Sequence, residues 1–223
     1  MKTALIALLM AVSLSLPAEE AKWTPGKELM LNGRPLEIFQ HSVKPEWGYA
    51  APQQDLVIVV HPKIERKNAP LYVVLHSAGH DVISCVKCTR QVGNHDIYRS
   101  PDDFYALYLD CKDNMGDWWW GGMHLKDAAL TKKNSGGDPM PVEKRVMDTV
   151  RWAIEKYAID PNRVYLCGNS MGGSGTLGIG MRNGDVFAAI KANVPAGIEH
   201  VSNRMYFPPQ VIPEYVKLPD PPV

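Results

Sequence analysis

The sequence predicts an α/β protein built on a mostly parallel central sheet flanked by helices. Three observations carry that prediction. Apolar runs of strand length recur at 56–60, 71–75, 104–109, 164–167 and 186–194. The best of them lack the alternation of a sheet with one wet face, as expected of strands buried on both sides. Ahead of the fourth run, residues 142–157 place Val142, Val146, Val150, Ile154 and Tyr157 at helical spacing. The fourth run then breaks into Gly168-Asn169-Ser170-Met171-Gly172-Gly173, a glycine-spaced turn leading into a further helix.

The 223 residues suffice for one medium domain with a substantial core. Lysine plus arginine and aspartate plus glutamate both number 24, so bulk charge gives no reason to expect a nucleic-acid partner. In order, Lys2, the apolar run 4–16 and Pro17-Ala18 before Glu19-Glu20 read as a signal peptide cleaved after Ala18. That placement makes the mature protein periplasmic or secreted, with no membrane association once the leader is gone. The expected organisation is a leader over 1–18, opening strands and lead-in over 19–55, and the main domain over 56–223.

Within 23–52, Leu29-Met30-Leu31 and Leu36-Glu37-Ile38-Phe39 suggest an opening pair of strands. The β-branched run Leu56-Val57-Ile58-Val59-Val60 and the run Leu71-Tyr72-Val73-Val74-Leu75 follow. The second ends in His76-Ser77-Ala78-Gly79-His80. Of the four cysteines, Cys85 and Cys88 have C-x-x-C spacing. No second pair and no His-x-His accompanies them, so no metal site is expected, and a local loop disulfide is favoured in an oxidising compartment. Cys167 reads as a small buried core residue.

After the run 104–109 comes Gly116-Asp117-Trp118-Trp119-Trp120-Gly121-Gly122. Three consecutive tryptophans cannot all face a core from one loop. At least one is expected at the mouth of a site, where an indole stacks on a sugar ring or an aromatic acyl group; the alternative is that they cap the sheet end as core. Residues 132–141 read as a polar surface loop, and Pro141 stands at the start of the helix. Glycines at 175, 178 and 180 are costly in the helix that follows the turn and suggest close packing against the sheet.

Gly168, Ser170 and Gly172 fit the G-x-S-x-G nucleophile elbow. A serine at the apex of a strand-to-helix turn has a strained backbone and a hydroxyl raised above the sheet edge. Glycines two positions to either side are needed because side chains there would strike the neighbouring strand or helix. Ser170 is therefore the candidate nucleophile, and the Met171 N–H, opening the helix, a candidate oxyanion donor.

These residues resemble the α/β-hydrolase fold. More narrowly, Asp160-Pro161-Asn162-Arg163-Val164-Tyr165 running into the elbow, and Asp185-Val186-Phe187-Ala188-Ala189-Ile190 beyond it, resemble the exported polyhydroxybutyrate-depolymerase and feruloyl/acetylxylan-esterase group. The likeness covers roughly 56–195. It implies cleavage of carboxylic esters through an acyl-enzyme, without metal or organic cofactor, on a small ester or an acylated polysaccharide. It assigns the second oxyanion donor to the Ser77–Ala78 loop, where serine replaces the usual glycine after His76. His76 and His80 are expected to prop that loop rather than act as bases.

The triad order in this fold is serine, then acid, then histidine. After Ser170 the candidates are Glu199, His200, Glu214 and Asp220. Asp220 precedes its predicted strand, and His200 follows the first strand after the elbow, earlier than the base's place. On that order the acid and base are expected beyond the sequence, with the last strands and terminal helix, and His200 is the candidate base within it. Two further readings stand beside the esterase: a peptidase of the same fold, and a non-catalytic carbohydrate-binding domain using the tryptophans.

Overall fold

The computed structural model describes residues 18–20, 30–41, 44–49, 55–93, 95–111, 119–120 and 139–196. The expected leader (apart from Ala18), the loop 132–138, Trp118, Glu199, His200, Glu214 and Asp220 lie outside the described residues.

Among the described residues, eight strands form one mixed sheet: β1 (Ala18–Glu20), β2 (Met30–Leu31), β3 (Arg34–His41), β4 (Leu56–Val60), β5 (Leu71–Leu75), β6 (Tyr105–Leu109), β7 (Val164–Asn169) and β8 (Ala189–Asn193). Their order is β1-β3-β4-β6-β5-β7-β8, with β2 paired to β3. β6, β5, β7 and β8 run parallel to one another, whereas β3, β4 and β6 pair antiparallel. The opening strands are thus continuous with the main sheet. Parallel neighbours require crossovers, which here carry α1 (Val82–Cys88), α2 (Pro141–Lys156) and α3 (Met171–Gly180).

The strand period of two sorts the core into two layers. Val57, Val59, Val73, Leu75, Leu107 and Leu166 point to the layer of α2, meeting Val142, Val146, Val150 and Ala153. Ile58, Val60, Val74, Ala106, Tyr108 and Cys167 point the other way, onto Val82, Cys85 and Val86 of α1. Every residue of β6 is buried, as the continuous apolar run required.

The helix expected at 142–157 forms one residue earlier, at Pro141, whose fixed φ and missing N–H suit a first turn. Among the described residues, no helix is long and apolar enough to cross a membrane.

One expectation is corrected in α1. Cys85 and Cys88 occupy this helix three residues apart, and both thiols are free, as are Cys111 and Cys167. The segment is helical because Asp81 caps it: its carboxylate accepts the Ser84 N–H at 2.7 Å, and the Ser84 hydroxyl accepts the Asp81 N–H at 2.9 Å. Side chains at this helical spacing sit about 5–6 Å apart at Cβ, beyond the roughly 3.5–4.5 Å a disulfide needs.

Candidate active site

The carboxyl ends of β5, β6, β7 and β8 meet at one edge of the sheet, where ligands gather in open α/β sheets. Ser170 stands at the end of β7, immediately before α3. Its φ of 53° and ψ of −113° lie outside the ordinary regions for a side-chain-bearing residue. Strain of this kind costs on the order of 1–3 kcal/mol and persists only when the surroundings impose it. Here they do. The Ser170 N–H donates to the Asn193 carbonyl at 2.9 Å, and the Ser170 carbonyl accepts the Ser174 N–H at 2.9 Å. A Cβ on Gly168 would run into the Gly172 carbonyl, and one on Gly172 into the Leu75 carbonyl. Either side chain would force apart β5, β7 and α3, so the two glycines bring the helix start against the end of β5. The Met171 N–H is in the first turn, where helix geometry supplies no acceptor.

The loop after β5 lies beside the elbow. The Asn169 amide donates to Ser77 Oγ at 3.1 Å, and the Asn193 amide donates to Asn169 Oδ1. His76 is 1% exposed, and both its nitrogens are engaged. Nδ1 faces the Ser77 carbonyl at 2.9 Å and therefore carries a proton. Nε2 receives the Cys111 N–H at 2.9 Å and lies 3.2 Å from Asp110 Oδ1. His76 thus ties the ends of β5 and β6 together, leaving neither nitrogen for Ser170.

The oxyanion assignment needs one correction. The Ser77 N–H is already taken: it donates to the Tyr98 hydroxyl at 3.0 Å, and the Ser77 hydroxyl lies 2.6 Å from the same oxygen. Ala78, at the exposed tip of a turn closed by the His80 N–H donating to the Ser77 carbonyl, retains its N–H among the described residues. Burial pushes the Tyr98 phenol up to about 12, so it remains a protonated donor. His80 and His95 sit with ring centres 5.2 Å apart, and His95 stacks on Tyr98. Burial first, then the charges of His95 and His76, lower the His80 pKa.

A second correction concerns the tryptophans. Trp119 and Trp120 are completely buried, so neither offers a face to substrate. The Trp119 indole N–H donates to the His76 carbonyl at 3.1 Å, and that of Trp120 to Ser174 Oγ at 3.0 Å. Both rings lie along the glycine face of α3, where a Cβ on Gly175 would strike Trp119 and one on Gly178 would strike Trp120. Gly175 and Gly178 therefore accommodate indoles, whereas Gly180 packs against Ile190 of the sheet, as expected; Trp118 lies outside the described residues.

The Cys85 and Cys167 thiols are not reactive groups. Burial pushes Cys167 up to about 12 and raises Cys85 well above the ordinary thiol range, so neither forms a thiolate near neutrality. Among the described residues, no group of three or more His, Cys, Asp or Glu is arranged to hold a metal ion. Sequence reasoning singled out Ser170, Met171 and the His76 loop, which the structure brings to one end of the sheet. It missed Tyr98, Asn169 and Asn193, of which only Asn169 lay inside a motif.

The sequence profile of the prolyl oligopeptidase family matches residues 143–214, a span containing most of α2, the elbow and α3. No curated protein matches the chain by sequence. Among solved structures, a thermostable esterase superposes at a TM-score of 0.52 with 23% identity, over 72% of this chain and 40% of that one. A ferulic acid esterase from the anaerobic fungus Anaeromyces mucronatus superposes at 0.50 with 16% identity, over 80% of this chain and 67% of that one. An acetyl xylan esterase from Aspergillus awamori superposes at 0.46 with 16% identity, over 69% of this chain and 50% of that one. The chain thus spans about half or less of two of these three proteins. Strand order, elbow geometry and the two higher-scoring superpositions define the class: this chain has the α/β-hydrolase fold, with a serine at the elbow. The solved proteins of that fold cited here are esterases by name.

Proposed function

We propose that this chain carries the nucleophile of an exported serine esterase that cleaves acyl groups from plant polysaccharide or from a polyester. The observation that carries the reading is Ser170, held at positive φ between two glycines whose replacement would force sheet and helix apart. Ser170 Oγ attacks the ester carbonyl, and its proton passes to a general base. The tetrahedral oxyanion takes hydrogen bonds from the N–H groups of Met171 and Ala78. Its collapse expels the alcohol and leaves an acyl-enzyme, which water hydrolyses. Trp118 supplies the substrate-facing indole.

His200, outside the described residues, is the candidate base within this sequence. His41 is buried against Thr149 and Arg145, His61 lies at the opposite end of the sheet, and His76 has both nitrogens engaged. A burst of p-nitrophenol from a short-chain aryl ester, present in the wild type and absent in Ser170→Ala, tests the acyl-enzyme. His200→Gln tests the base, with His80→Gln beside it. Loss only in His80→Gln would move the base to the oxyanion turn.

The prolyl oligopeptidase profile match over the elbow favours a second reading, a peptidase using the same serine. Turnover of a proline-terminated peptide anilide with no turnover of aryl esters would select it.

A further inference from the structure

At the end of the sheet opposite Ser170 lies a cavity of about 510 Å³ whose charge is unbalanced. Its walls come from the β2–β3 turn, the end of α1 and the segment leading into β6. Four cations line it, Arg34, Lys63, Arg90 and Arg99, against one carboxylate, Asp102. Asp102 is already engaged by Lys63 at 2.7 Å.

Arg34 is the telling residue. It is 95% buried, at 5% exposure, and its guanidinium donates only to neutral oxygens: the carbonyls of His61, Pro101 and Phe104 and the Ser100 hydroxyl. A buried charge ordinarily has a counter-charge, because its desolvation is otherwise uncompensated. Among the described residues, Arg34 has hydrogen bonds but no bonded carboxylate. Burial depresses its pKa, with Tyr108, Asp102 and Asp103 only partly countering. Arg99 donates to the Thr89 carbonyl at 2.7 Å, again a neutral partner. Arg90 is exposed at the rim; its backbone N–H donates to the Lys87 carbonyl at 3.1 Å, and its guanidinium has no hydrogen-bond or ion-pair partner among the described residues.

We propose that this cavity is an oxyanion-binding site, taking a phosphate or carboxylate group between Arg90 and Arg99 with Arg34 supplying charge from behind. Planar guanidinium forks suit such groups, pairing with two oxygens at once. The strands between this cavity and Ser170 are five residues long, roughly 17 Å at 3.3 Å per residue. A bound group therefore does not touch the reacting ester. The site holds an anionic ligand, or an anionic part of a polymer, at a distance from the serine.

The test is calorimetric titration of the full chain with inorganic phosphate and, separately, with glucuronate, at constant ionic strength maintained with sodium chloride. Glucose is the neutral control. The proposal expects saturable binding of at least one anion and none of glucose. Loss of one charged hydrogen bond in Arg90→Gln should weaken binding by about tenfold while leaving Ser170 labelling by a fluorophosphonate unchanged. Phosphate alone binding identifies a phosphate site, and glucuronate alone identifies a carboxylate site. Absence of saturable binding for both, or equal affinity in the wild type and Arg90→Gln, overturns the proposal. Because the readout is binding, failure of the esterase reading would leave this result standing.

Discussion

The Tyr98 hydroxyl accepts the Ser77 N–H at 3.0 Å and lies 2.6 Å from the Ser77 hydroxyl. One phenol therefore fixes both the N–H and the hydroxyl of Ser77, which itself receives the amide of Asn169, the residue before the candidate nucleophile. It joins a hydrogen-bonded series, Tyr98–Ser77–Asn169–Asn193, that spans the ends of β5, β7 and β8. The Ala78 N–H is presented by a turn anchored from below.

Removing that anchor should loosen the turn without emptying the core. Tyr98→Phe keeps the ring and its stacking on His95, and deletes only the hydroxyl. The expected outcome on an aryl ester is a fall in kcat of about tenfold, comparable to one weakened oxyanion contact, with KM nearly unchanged. A purely structural role would instead lower Tm and leave kcat of the folded fraction intact, so kinetics and thermal melts are needed together.

The elbow glycines make a steric prediction. Gly172→Ala puts a methyl group into the Leu75 carbonyl, and the rigid backbone on both sides prevents relief by side-chain rotation. A loss on the order of 1–3 kcal/mol or more is expected, seen as a fall in the urea midpoint. Gly184→Ala, where an added Cβ meets nothing within 4 Å, is the control and should be nearly neutral.

His61 gives a pH dependence. It lies between Glu37 at 3.4 Å and Glu65 at 3.2 Å, and its pKa is raised chiefly by the hydrogen bond to Glu37, while the same bond lowers Glu37. Tyr157, at the end of α2, donates to Glu37 as well, and the Tyr105 ring packs on His61. A raised histidine pKa contributes stability that is complete below the unfolded value and lost as pH rises through the folded one. The lowered Glu37 contributes above its unfolded value and loses that contribution as pH falls through its folded value. The strap between β3, β4 and α2 is therefore strongest between the ordinary glutamate and histidine ranges. The Tm difference between wild type and His61→Gln should be greatest near pH 5–6 and shrink towards pH 9. A difference independent of pH would contradict this assignment.

The thiols give a chemical count. Cys85, Cys111 and Cys167 are buried and Cys88 is half-buried. A thiol reagent should modify at most Cys88 in the folded protein and all four cysteines after denaturation without reductant. Two or fewer reactive thiols in the denatured chain would show a disulfide.

What the sequence revealed follows from how local each signal is. The buried strands at 56–60 and 71–75, the helix near 142–157 and the elbow all formed as expected, because each is specified by its own run of residues. α1 was missed, since its seven residues carry too little periodicity and its Asp81–Ser84 cap stands beside a C-x-x-C spacing that suggested a loop. The tryptophans were misplaced for a different reason. Their destination is a glycine face on α3, more than fifty residues away, and an isolated indole reads equally well as core or as binding surface. Tyr98 had no local signal, because its role exists only once the loop after β5 folds over it.

The central claim is that Ser170 is an activated nucleophile, and hydrolysis of a short-chain aryl ester by the purified chain, beside Ser170→Ala, tests it most directly. The account predicts clear turnover that falls by at least about a thousandfold in the variant. Equal rates in two soluble, folded samples would contradict it and leave a strained elbow carrying an inert hydroxyl.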